Sequence, residues 1–235
     1  MHWIEVRDDI NLALAKPEKL IFAVLKPSRL VLKVPENMKN HFCIFSHDST
    51  TLSLSLARGA SVDLEWICFG GEFANDLQIT LGENSNVKIR GAGKFNTNDK
   101  ISYNYSAQHL DSNSQSDFVF FGSLDDNAQK NSTLKIDFVN GAKNCIGNER
   151  EDMILLGENV KNRCIPQIVC AESDVVGNHG LSCGHIDDDT RNYLESRGIS
   201  EKQAKTTIAN ARILQVVKDM RSQKALQYLE RFLNV

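Results

Sequence analysis

His179, Cys183 and His185 lie within seven residues of one another, in the stretch His179-Gly180-Leu181-Ser182-Cys183-Gly184-His185. Imidazole and thiolate are borderline-soft donors of the kind that hold iron, zinc or copper. All three positions are odd, so an extended strand puts them on one face. The rise of a strand limits what they can do together. His179 and Cys183 stand about 13 Å apart at ~3.3 Å per residue, too far to share one ion. Cys183 and His185 are close enough, and Gly180 and Gly184 permit a bend. On spacing alone, an inward-packed Cys183 beside two incidental histidines is the simpler account, because a complete ligand set is lacking.

The other reactive side chains are scattered. The six cysteines (Cys43, Cys68, Cys145, Cys164, Cys170 and Cys183) include no CxxC pair. They read as reduced thiols packed as small hydrophobes, and the spacing argues against a structural zinc site. Cys164 and Cys170 share strand parity with Ile168 and are expected in the core. Cys145 ends the polar segment Gly141-Ala142-Lys143-Asn144-Cys145, which reads as an exposed turn. Lys143 there would favour a thiolate, making Cys145 the candidate reactive thiol. The acidic pairs Asp8-Asp9 and Asp125-Asp126 could suggest a polysaccharide-cleaving carboxylate pair. Adjacent residues of a strand point to opposite faces, so both pairs read more simply as turn residues. The chain contains no GxxxxGK[ST] loop, GxSxG elbow or HExxH motif. If ATP is involved, another subunit must bind it.

The elements that position these side chains fall into two regimes. From about Leu30 to Val176 the chain reads as many short strands. Thr51-Leu52-Ser53-Leu54-Ser55-Leu56 alternates strictly, and residues 62–66, 77–81, 87–89 and 134–138 repeat the pattern. Turn clusters separate them at residues 58–61, 82–86, 111–114, 140–141 and 157–159. An apolar residue, a Gly/Asn/Ser turn and a new strand recur at Leu56, Leu81, Leu110 and Phe138, at steps of 25, 29 and 28 residues. Units of about two strands cannot bury an apolar face alone, which suits a stacked solenoid. Pattern alone leaves a β-sandwich about equally possible. After Ile186 the period becomes helical. Asp187-Asp188-Asp189 supplies an N-cap and acidic first turn, Gly198 a stop, and Ser200 with Gln203 a capping box. Ala204, Ile208, Ala211 and Leu214 form the expected apolar stripe of the second helix, and Leu226, Leu229 and Leu233 mark a third.

Global properties exclude several classes. The 235 residues carry 27 Lys and Arg against 30 Asp and Glu, a formal net charge of −3. With both signs interspersed there is no basic footprint for nucleic acid or an anionic membrane. No apolar run approaches the length of a membrane span. The acidic early N-terminus lacks a secretory layout, so a cytoplasmic location is expected.

The block Pro166-Gln167-Ile168, Asp174-Val175, His179-Gly180, Gly184-x-Ile186-Asp187 and Tyr193-Leu194-x-Ser196-Arg197-Gly198-Ile199-Ser200 resembles the C-terminal core of the SufB/SufD family of iron–sulfur cluster assembly. Ile154-Leu155-Leu156-Gly157 is similar to the strand and turn preceding that block. The close similarity covers about residues 141–215. It implies a right-handed parallel β-helix, an all-β solenoid over residues 1–186, followed by a small α-helical domain over 187–235.

The resemblance also implies function: a non-catalytic scaffold whose β-helix pairs with a SufB/SufD-type partner or a second copy, forming a dimer. The C-terminal helices would dock a SufC-like ABC-type ATPase, and this chain would bind no nucleotide itself. A transient iron–sulfur cluster would form at the β-helix interface. His179 falls on the cluster-site histidine of SufD, with Cys183 and His185 as further candidates. Two departures point away from SufB. Glu151 stands where SufB carries its sulfur-accepting cysteine, and Gly180 where SufB has a glutamate. Arg191 and Asn192 occupy usually apolar helix positions, and the long N-terminal helical region of full-length members has no counterpart in the sequence. These features fit a short SufD-like protein or a minimal homodimeric one. The alternatives are an ATPase-binding module that assembles no cluster and, less favoured, a carbohydrate-active β-helix enzyme.

Overall fold

Strict alternation over short segments, broken by Asn and Gly turns, produces a parallel β-solenoid. The computed structural model describes residues 2–217 and 223–233. It contains the strands β1 (His2–Val6), β2 (Ile10–Ala13), β3 (Lys19–Val24), β4 (Ser28–Val34) and β5 (Lys39–Ser46). Next come β6 (Thr50–Leu56), β7 (Ser61–Phe69), β8 (Glu72–Leu81), β9 (Asn86–Phe95) and β10 (Lys100–His109). The last are β11 (Gln115–Leu124), β12 (Gln129–Phe138), β13 (Cys145–Leu155), β14 (Lys161–Cys170) and β15 (Val175–His185). Successive strands alternate between two parallel sheets, of order β1-β3-β5-β7-β9-β11-β13-β15 and β14-β12-β10-β8-β6-β4-β2. A sandwich of antiparallel strands is thereby excluded. Strands also fill residues 2–24, ahead of the point where the alternation becomes regular in the sequence.

Each coil is one strand in each sheet, which accounts for the repeat of 25 to 29 residues. Asn37, Asn84, Asn98, Asn113, Asn127, Asn144 and Asn159 take φ between 54° and 66° at the turns. Asparagine enters this left-handed region more readily than other residues with a side chain. Six of these turns bond to the next coil: Asn84 N–H, for example, donates to the Ser112 carbonyl, Asn113 to Lys143 and Asn144 to Asp174. The expected repeat position Leu110 is one residue out of step. The register runs Leu56, Leu81, His109, Phe138, and Leu110 is 48% exposed. A slip of one residue reverses a side chain's face, so a histidine takes the interior position.

Inside the solenoid, leucine and isoleucine rows enclose an aromatic stack. Tyr105 and Phe118 have ring centroids 4.3 Å apart, Tyr103 and Phe120 4.8 Å, and Trp66 and Tyr103 5.9 Å. Such offset and edge contacts favour packing beyond simple burial.

Helices α1 (Asp188–Ser196), α2 (Glu201–Val217) and α3 (Gln223–Leu233) follow the last strand. Residues 218–222 and 234–235 of the expected helical region lie outside the described residues. The Asp187 carboxylate accepts the Thr190 N–H at 2.7 Å, and Ser200 and Gln203 form the expected capping box. Helix α2 lies on β9 and β11, and α3 joins it over the outer apolar row of Ile21, Cys43, Phe45, Ile67 and Ala92. The expected stripe of α2 is partly wrong. Ala204 is buried, but Ala211 and Leu214 are exposed while Ala209, Ile213 and Val216 face inward. Asn210 explains the rotation: its amide bonds the Leu233 carbonyl and the Lys94 ammonium, each at 3.2 Å, which turns this face towards the sheet.

Candidate functional site

The odd residues of β13 point into the solenoid: Cys145, Gly147, Glu149, Glu151 and Met153 are all buried. β15 pairs with β13 in parallel register, so its odd residues continue the same interior face. Across the interior, a Cβ on Gly177 would meet the Ile168 side chain at 3.0 Å. The Cys183 thiol accepts the Asn162 amide N–H at 3.1 Å, also from β14. β14 and β15 end their sheets, and no further coil among the described residues covers them. The last interior layer is therefore open: His179 lies over Glu149, Leu181 over Glu151, Cys183 over Met153 and His185 over Leu155.

His179, Cys183 and His185 are all exposed on this mouth. They form a row along one strand rather than a cluster, and no group of three His, Cys, Asp or Glu side chains converges among the described residues. His185 stands at the far end, beside a groove of about 1090 Å³ that is also lined by Leu155, Ile186, Arg191 and Leu194.

The cysteines sort differently from their expected settings. Cys145 is not in an exposed turn. It begins β13, fully buried, with its Sγ 3.1 Å from both the Ser114 hydroxyl and the Asp111 carbonyl. Its odd position turns it inward while the polar residues before it form the turn. Cys170 is exposed and Cys164 half-buried, because they stand on the uncovered end strand. Burial, then the nearby Glu151 charge, pushes the Cys164 thiol up to about 11. Under native conditions Cys170 and Cys183 should react with a maleimide within minutes. Cys43, Cys68 and Cys145 should react only on unfolding, and peptide mapping of labelled protein checks the order. The acidic pairs are turn residues: Asp9 accepts the Arg29 N–H at 2.8 Å and Asp126 the Glu158 N–H at 2.7 Å.

Beneath the mouth lies a polar core that motif reasoning misses. Lys130 and Glu151 are buried to within 2% and form an ion pair at 2.6 Å. The Ser132 hydroxyl donates to Glu151 at 3.0 Å, and the Tyr103 hydroxyl donates to the same oxygen. Two residues earlier on the same strand, Glu149 is 2% exposed, and neither carboxylate oxygen has a hydrogen-bond partner among the described residues. Burial pushes its carboxyl up to about 7. The Gln167 N–H offsets part of that rise without completing a hydrogen bond. Burial chiefly, with a smaller contribution from the nearby Glu149, disfavours the Tyr105 phenolate. The Tyr105 hydroxyl also completes no hydrogen bond among the described residues, although Ser116 lies near it. The signal for these residues was available: Lys130, Ser132, Glu149 and Glu151 occupy positions where the alternation demands apolar side chains.

Residues 39–212 match the family model described as SUF system FeS cluster assembly, SufBD core domain. No curated protein matches the chain.

Proposed function

Because the chain belongs to the SufB/SufD family, with a role in SUF-type iron–sulfur cluster assembly, we propose that it is a non-catalytic scaffold subunit that holds a nascent cluster at its open solenoid end. The observation that carries this reading is the uncovered last coil, which leaves His179 on the interior face and exposed at the open end. Iron and sulfide are the cargo of such a site rather than a resident cofactor.

Edge chemistry supports pairing at this end. β14 and β15 are ten and eleven residues long, and one side of each presents unpaired backbone groups. Native proteins normally blunt or cover such edges. Val169, Val176 and Leu181 are each at least 45% exposed beside them. A second solenoid, from another copy or a SufB/SufD-type partner, would cover these groups and bring further ligands to His179. The pairing also answers the ligand shortage of one chain, since Cys183 and His185 lie too far along the strand to join His179.

The helices support the ATPase contact. α1 buries none of its residues, Tyr193 is 58% exposed, and the groove of about 1090 Å³ separates α1 from the solenoid turns. A SufC-like ATPase seated there would couple nucleotide hydrolysis to the paired ends. No helix among the described residues is long and apolar enough to cross a membrane, in keeping with a cytoplasmic assembly.

A second reading, an ATPase-binding module without a cluster, is favoured by Glu151. The position of the SufB cysteine is here buried in an ion pair with Lys130. Anaerobic reconstitution with iron and sulfide separates the two. The scaffold reading expects sulfide-to-iron charge-transfer absorbance that is mostly lost in His179→Ala. ATPase copurification without any chromophore would establish the second reading instead.

A further inference from the structure

A buried carboxyl without a hydrogen-bond partner is rare, because polar groups in an apolar interior strongly favour pairing or metal coordination. Glu149 is such a group, and its position is informative. It lies in the last enclosed layer, in direct register with His179 on the neighbouring strand. Adjacent strands are about 4.8 Å apart, so two side chains in register can share an ion with ligand distances of about 2.0–2.2 Å. This is the geometry that the row His179, Cys183, His185 lacks. The unpartnered Tyr105 hydroxyl lies on the same inner side. The remaining inward neighbours of the pair are Gly177 and Leu181 on β15 and Gly147 and Glu151 on β13. Glu151 is already committed to Lys130, Ser132 and Tyr103. Glu149 is thus the carboxylate with donor capacity to spare.

We propose that Glu149 and His179 form a carboxylate–imidazole donor pair that takes up a divalent first-row metal ion at the solenoid mouth. Oxygen and imidazole nitrogen donors suit ions such as iron(II) and cobalt(II). The remaining coordination positions face outward, towards water or a paired solenoid. The donor pair stands on the register and on the unpartnered carboxylate. Only the choice of iron(II) as the natural ion rests on the scaffold reading. In that reading Glu149 would hold iron before sulfide arrives.

Cobalt(II) is the probe, added anaerobically to the full chain and followed by its visible ligand-field absorption and by calorimetry. Wild type should bind one ion per site with a spectrum of oxygen and nitrogen ligands and no thiolate charge-transfer band. Glu149→Gln, nearly isosteric, should weaken binding at least tenfold, as should His179→Ala, whose exposed position leaves folding unaffected. Cys183→Ser should bind as wild type. Absent binding, a thiolate band, or unchanged affinity in Glu149→Gln would each overturn the pair. Cobalt binding of the expected kind with no cluster on reconstitution would keep the pair and remove the scaffold reading. Cluster formation undiminished in Glu149→Gln would do the reverse.

Discussion

Lys130→Ala is expected to destabilise the protein by about 3–5 kcal/mol, because it leaves the Glu151 carboxylate buried with no counter-charge. Both members of the pair are buried, and the Lys130 ammonium also donates to the Ser132 hydroxyl at 2.8 Å. A cavity from the lost side chain adds to the effect. The uncompensated charge costs more than the lost packing, and a double substitution separates the two. In Lys130→Met with Glu151→Gln both charges go, the volume stays, and the amide oxygen still accepts from Tyr103 and Ser132. Replacing a buried ion pair by neutral groups of similar volume is often close to neutral. The double variant should therefore recover more than half of the loss. Urea unfolding followed by intrinsic fluorescence reads both. Equal losses in the single and double variants would mean that shape, not charge, governs this layer.

Acid should unfold the protein through His109. Its ring is fully buried, 4.7 Å from Phe138 between centroids, with Nδ1 2.8 Å from the Ser114 hydroxyl and Nε2 2.9 Å from that of Ser116. Burial lowers its pKa from 6.5 to about 4, and the Asp137 charge only partly opposes this. The unfolded chain therefore binds a proton more readily than the native one. Stability from this group is fully present above pH 6.5 and is lost as pH falls towards 4. Over that window the loss is on the order of 3 kcal/mol, at about 1.36 kcal/mol per pKa unit. His109→Gln, which cannot ionise, should flatten the difference between unfolding free energies at about pH 7 and about pH 4.5. A variant with the same acid slope as wild type would place the sensitivity in the carboxylates instead. Hydroxyl partners do not enter this choice, because each can donate to a neutral ring or accept from a charged one.

Much of the solenoid was legible because its forces are local. Alternation in Thr51–Leu56 specifies a strand with one buried face, and asparagine at residues 84 and 113 supplies the left-handed turns. Steps of nearly constant length then imply stacked coils, although they do not distinguish a solenoid from a sandwich. Helix ends were equally local: Asp187, Ser200 and Gln203 cap within four residues of themselves. The face of α2 was not legible, since Asn210 reaches residues 94 and 233, far away in the chain. Cys145 was misplaced for a related reason. A polar segment identifies a turn but not the residue at which the strand resumes and its parity is set.

The site divides along the same line. His179, Cys183 and His185 were visible as a one-face row, and their spacing already denied them a shared ion. Glu149 has no motif around it, and its pairing partner is thirty residues away. The repeating strand, its turns, the helix caps and the family resemblance could all be read from the order of residues, because each depends on neighbours within a few positions. That Glu149 lies under His179, that Lys130 neutralises Glu151 and that the last coil is open became visible only in three dimensions. Those facts depend on the register between coils, where residues distant in sequence share one buried layer of low dielectric and charge must find its partner across strands.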